Sequence, residues 1–106
     1  MMQGSEFIQR FKQYCPEWLA EDGDPVGLLL VTLFKNVDRI MLCLDVRPAV
    51  VVDAIAKKVD LLIVKHPPIF RAITRLTTDD VQTKMYADLI KHDIAVYAAH
   101  TNMDII

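Results

Sequence analysis

The apolar positions along the chain change period several times, and each change marks an element. Phe7, Ile8, Phe11 and Tyr14 recur at helical spacing behind Ser5, which can cap the helix, and Pro16 ends it near Cys15. A loop follows at Glu21-Asp22-Gly23-Asp24-Pro25. Val26 to Phe34 then reads as a strand, and Lys35-Asn36 as the turn into a second strand, Val37 to Leu44. Pro48 fits the first turn of a helix whose buried stripe is Val51, Ala54, Ile55 and Val59. Leu61-Leu62-Ile63-Val64 is a continuous apolar run, the pattern of a strand covered on both faces. Thr78 can cap a further helix with Val81, Met85, Leu89 and Ile90 inward, and Ile94 to Ala99 is another strand. From Val37 onward the order is βαβαβ. That order predicts an α/β fold with a mostly parallel sheet, flanking helices and right-handed crossovers.

Length and composition narrow the picture. The 106 residues allow one domain, spanning 1–106, and contain no repeat, linker or low-complexity run. Hydrophobic residues make up 53% of the chain, against roughly 45–50% in a typical soluble protein, an excess that predicts association with other subunits or with further chain. On this reading the sticky surface is the strand Val26 to Phe34. Net charge is −2 with Lys and Arg scattered, so nothing here matches a nucleic-acid backbone. The most apolar stretch, Val26 to Leu44, is interrupted by Lys35, Asn36, Asp38 and Arg39, too often for a membrane span. Glu6, Gln9, Arg10 and Lys12 break up the first helix, unlike a signal peptide. Cys15 and Cys43 form no metal or redox motif, and Cys43 reads as a small buried hydrophobe. A cytoplasmic setting fits these features.

Ligands of open parallel sheets bind beyond the carboxyl ends of the strands. Those ends carry Asp45, then Lys65-His66-Pro67-Pro68, then His100-Thr101-Asn102-Met103-Asp104. Imidazole and carboxylate together suit a divalent ion, whether zinc, manganese, iron or nickel. The plainer alternatives are that His66 caps its strand and that His100 and Asp104 form a loop network. Asp45 reads as a strand-end turn residue, His92 as a helix-terminal residue favoured by the dipole, and Asp22 and Asp24 as a solvated loop. No phosphate-cradling glycine spacing and no nucleophile elbow occurs. The residue types alone therefore reach a possible metal site and stop there.

Four segments carry a more specific resemblance. Gly23-Asp24-Pro25-Val26-Gly27-Leu28, Leu44-Asp45-Val46, His66-Pro67-Pro68-Ile69-Phe70, and Ile94 through Asp104 resemble, in order, the NIF-three-like family, whose members are often called GTP cyclohydrolase 1 type 2 homologs. The last segment, a tyrosine-containing strand running into His-Thr-Asn-x-Asp, is the most specific. The resemblance implies a two-metal site, a ring of six subunits, and hydrolase-like activity on a nucleotide or other small molecule. It assigns His66 and Asp104 as metal ligands, and His100 as either a ligand or the catalytic proton carrier. Metal-held water would be the attacking group.

Three departures temper what the resemblance implies. Lys65 stands where the family has the first of two histidines, and a protonated amine has no lone pair to give a metal. Leu29, Val31 and Phe34 stand where the family has Gln, Gly and Asn. The sequence stops at Ile106, where the family continues into a half supplying a further His and Glu. The expectation is an amino-terminal portion carrying an incomplete metal site and poorly active alone. The alternative is a non-catalytic metal-binding or assembly module.

Overall fold

The computed structural model describes residues 2–14, 27–66, 68–69 and 73–99. A two-residue strand β1 (Met2–Gln3) leads into helix α1 (Gly4–Tyr14); β2 (Gly27–Leu30), β3 (Asn36–Val37) and β4 (Ile40–Cys43) follow. Helix α2 (Pro48–Ala56), β5 (Leu61–Val64), helix α3 (Val81–Lys91) and β6 (Ala95–Ala98) complete the order. The main sheet runs β2-β6-β5-β4, with β4, β5 and β6 mutually parallel and β2 antiparallel at one edge. The predicted α/β class and mostly parallel sheet are therefore present. The small strands β1 and β3 pair separately as an antiparallel ribbon.

Two apolar layers explain why β5 and β6 are buried throughout. Leu62, Val64, Val96 and Ala98 face α2 and α3, where they meet Val51, Ala54, Met85 and Leu89. Leu61, Ile63, Ala95 and Tyr97 face the other way, onto Ile8 of α1 and Val37. Phe11 presents its ring edge-on to Tyr97, with centroids 5.9 Å apart and planes at 84°. A strand covered on both sides needs apolar residues at every position, as the run at 61–64 has.

Several local expectations give way to tertiary contacts. Ser5 lies inside α1 and does not cap it. The first helical N–H groups are instead satisfied by loop carbonyls, Gly4 N donating to Lys35 O at 2.7 Å and Ser5 N to Leu33 O at 2.8 Å. The strand expected over Val26 to Phe34 stops at Leu30, because Val31 takes a left-handed φ of 67° and turns the chain. The strand expected over Val37 to Leu44 is split at Asp38–Arg39, whose two N–H groups donate to one carboxylate oxygen of Asp60, at 2.9 and 3.1 Å. The backbone of Asp60 also donates to Arg39 O and accepts from Ala95 N, so this residue ties together the starts of β4, β5 and β6. Asp80, not Thr78, caps α3 by accepting from Thr83 N. On α3, Met85, Tyr86 and Leu89 are buried, whereas Val81 and Ile90 are exposed.

Gly4 marks the tightest approach in the α1 layer. A Cβ built there would lie 2.7 Å from the Leu33 carbonyl oxygen and 3.1 Å from a Val37 methyl. The carbonyl is backbone and already accepts from Ser5 N, so it has little room to withdraw. Gly4→Ala is expected to destabilise the fold by about 1–3 kcal/mol, read as a lower denaturation midpoint at unchanged slope. An unchanged midpoint would show that the β1–α1 corner relaxes freely.

Candidate functional site

The ends of β4 and β5 are brought level by a constant offset. Ile40 is in register with Leu61 and Cys43 with Val64. The same offset carried past the strands sets Asp45 opposite His66. Lys65 N donates to Cys43 O at 3.1 Å and His66 N to Leu44 O at 2.8 Å, so the ladder continues beyond the last strand residues. His66 Nδ1 lies 2.9 Å from Asp45 Oδ1. A carboxylate can only accept, so Nδ1 carries the proton and Nε2 is the nitrogen through which the ring would meet a cation. The other Asp45 oxygen is 3.5 Å from Arg47, which stands just before α2. Both His66 and Asp45 are partly open to solvent.

Asp45 is the functional candidate that residue-type reasoning undervalued. It reads as a turn residue in isolation, and only the β4–β5 register shows that it orients a histidine. The available signal was positional: both residues follow consecutive parallel strands at matching distances. The plainer reading of His92 holds, since its ring nitrogen lies 3.0 Å from the Asp88 carbonyl at the end of α3. Cys43 is half-buried beside the α2–α3 core; burial and then the nearby Asp45 push its thiol above the usual range. Both effects disfavour the thiolate.

The segment after His66 is anchored by α3. The Tyr86 hydroxyl donates to Pro68 O at 2.7 Å, and Gln82 Nε2 reaches the same oxygen at 3.4 Å. Burial raises the Tyr86 phenol, the bond with Gln82 opposes that, and Asp80 adds to it. Ile69, Ile73, Asp80, Gln82 and Tyr86 border a hollow of about 270 Å³ next to this anchor.

Lys65 lines an apolar groove with Leu42, Leu44 and Ile63. The ion pairs recorded for Asp45 are with His66 and Arg47. His100 and Asp104 lie outside the described residues. Among the described residues, no group of three histidine, cysteine or acidic side chains converges as a metal cage. What the described portion provides is one imidazole, oriented by a carboxylate. At its far side, β6 closes with Ala99 N bonded to Val64 O at 2.9 Å, one residue before His100.

A mixed α/β sheet with an oriented histidine beyond its strand ends defines the class, and sequence comparison supplies the family. The model of the Duf34/NIF3 (NGG1p interacting factor 3) family matches residues 2–106, and the chain belongs to that family. It is 50% identical over 105 residues to a GTP cyclohydrolase 1 type 2 homolog of Streptococcus pneumoniae serotype 4, covering 99% of this chain and 40% of that protein. It is 46% identical over 102 residues to the Bacillus subtilis protein of the same name, covering 96% of this chain and 27% of that one. The crystal structure of a Bacillus cereus protein related to NIF3 superposes with a TM-score of 0.95 at 39% identity, over 98% of this chain and 29% of the other. The chain thus spans well under half the length of the relatives it matches.

Proposed function

We propose that this chain supplies part of a divalent-metal centre, with His66 as a ligand, Asp45 as the carboxylate that orients it, and His100 and Asp104 as further ligands. The observation that carries the reading is the His66–Asp45 bond of 2.9 Å at the carboxyl edge of the sheet. Metal-ligating histidines typically give their second ring N–H to such a carboxylate, which fixes the tautomer and raises the basicity of the ligating nitrogen. For the further ligands, the support is that the strands preceding His66 and His100 in sequence are neighbours in the sheet, with Val64 aligned to Ala98. Zinc, manganese, iron or nickel suits this donor set.

When bound, the ion would supply an activated water and polarise an electrophilic carbon or phosphorus. A nucleotide is the proposed substrate class, in keeping with the names of the relatives, and His100 is the proposed proton carrier if it is not itself a ligand. A cytoplasmic homohexamer is the proposed setting. No helix among the described residues is long and apolar enough to cross a membrane. The second reading is a metal-binding or assembly module without turnover, favoured by Lys65, a cation where the resemblance expects a second imidazole.

Lys65 provides the test, because it puts a cation where the family resemblance expects a second imidazole. Titration calorimetry with zinc and with manganese should show at most one weakly held ion on the unmodified chain, lost in His66→Ala. Lys65→Met should raise affinity by removing a repelling charge. Lys65→His should raise it further, or add a second ion, by restoring a ligand. Tight binding of two ions by the unmodified chain, or binding indifferent to His66→Ala, would overturn the assignment.

A further inference from the structure

A proline brings no N–H, so a Pro-Pro stretch can hydrogen-bond to the rest of a protein only through its carbonyl oxygens. His66 is followed by Pro67 and Pro68. Up to His66 the chain is held by its own N–H groups, Lys65 N donating to Cys43 O and His66 N to Leu44 O. Beyond it, a carbonyl takes over. The Pro68 oxygen accepts from the Tyr86 hydroxyl at 2.7 Å, and Gln82 Nε2 reaches the same oxygen at 3.4 Å. Tyr86 is a firm anchor, 3% exposed midway along α3, in one core cluster with Met85, Leu89 and Val64, the last residue of β5. Burial favours its protonated phenol, the form that can donate. Ile69 packs onto the same core, but an apolar contact has no direction and can slide, whereas a hydrogen bond fixes a point.

We infer that Tyr86 is a positioning residue for His66, acting through the Pro68 carbonyl. A proline fixes its own φ and restricts the residue before it. Two in succession leave few soft torsions between the His66 Cα and the Pro68 oxygen, so a shift of that oxygen passes to His66 instead of being absorbed on the way. The imidazole has little tolerance for such a shift, because its Nδ1 must stay at hydrogen-bond distance from Asp45, 2.9 Å away. Three contacts therefore frame the ring: the backbone ladder to Leu44 behind it, the Asp45 carboxylate at its side, and Tyr86 on the chain ahead. Together they set where Nε2 faces. The role rests on the reading of His66 as a ligand, yet the frame itself can be observed without metal.

Tyr86→Phe tests this, since it removes one oxygen and keeps the buried ring. Nitrogen-15 spectra of the metal-free chain at mildly alkaline pH distinguish the protonated ring nitrogen of His66 from the bare one. The unmodified chain should show the Nδ1–H form, and Tyr86→Phe a mixture of the two tautomers as the bond to Asp45 loosens. Adding Gln82→Ala should enlarge the change, because the second donor to the Pro68 oxygen is then lost too. Zinc affinity of Tyr86→Phe should fall by about threefold to tenfold, less than removal of Asp45 itself would cost. Leu89→Val is the control: it trims the same buried face of α3 and leaves the Pro68 oxygen bonded, so both readouts should hold. An unchanged His66 spectrum in Tyr86→Phe, or an equal change in Leu89→Val, would overturn the inference. A changed spectrum in a chain that holds no zinc even when unmodified would keep Tyr86 in this role and remove the metal reading.

Discussion

Tyr97→Ala is expected to cost the fold about 3–5 kcal/mol, the range for truncating a large aromatic in a core. Tyr97 is 1% exposed at the centre of the α1 layer, with Leu61 and Ile63 beside it on the sheet and Ile8 and Phe11 above. Its removal leaves a hole between a helix and a sheet, two elements that cannot close on each other without shifting. Domains of this size have only about 5–15 kcal/mol in all, so the variant should sit near the limit of folding. Urea unfolding of Tyr97→Leu, a milder truncation, keeps the measurement possible if the alanine variant does not fold. A double-mutant cycle with Phe11→Ala should return a coupling of about 0.5–1.5 kcal/mol from the edge-to-face pair. A loss below about 1.5 kcal/mol for the alanine variant would mean that α1 settles onto the sheet and fills the space, contrary to the usual residual cavity.

The second large effect falls on the site. Asp45→Ala is expected to lower divalent-metal affinity by about 10–100-fold, the usual consequence of losing the group that orients a ligating histidine. Asp45→Asn should lose less, because its amide oxygen can still accept from His66 Nδ1 while the charge is gone. Competition against a chelating dye at neutral pH distinguishes the three proteins. Identical affinities would return Asp45 to the role its sequence context suggests, a residue that merely ends a strand.

That contrast shows what the sequence could convey. The parallel core was legible because the run at 61–64 and the strand near 95–98 alternate with helical stripes, and period is a local property. The direction of β2 was not legible, since nothing within Gly27–Leu30 records which way its neighbour runs. The extent of α1 was nearly right, but its start was misread: the carbonyls of Leu33 and Lys35 do the work of a cap from nearly thirty residues away. Val31 is instructive in another way. The family resemblance expects glycine there, and the backbone takes the left-handed φ that glycine tolerates most easily, with valine in its place. For the site, His66 was legible from its position after a strand. Its pairing with Asp45 depends on register, a property of two strands together. His100 and Asp104 fall outside the described residues, and the placement of Lys65 in an apolar groove could not be read from charge alone.

The Asp60 hub gives register a further meaning. Its carboxylate and backbone hold Asp38, Arg39 and Ala95, all at the amino ends of the strands, whereas Asp45 and His66 stand at the other end, each six residues on from Arg39 and Asp60. Strand pairing can slip only in steps of two if faces are to be kept, and one step displaces a strand by about 6.6 Å. A slip of β4 against β5 would leave both apolar layers populated by apolar side chains, because Leu61, Leu62, Ile63 and Val64 are nearly interchangeable. It would separate Asp45 from His66 completely. The hydrophobic core is therefore tolerant of an error that the site is not, and one partly buried carboxylate at the far end of the sheet decides between the two alignments.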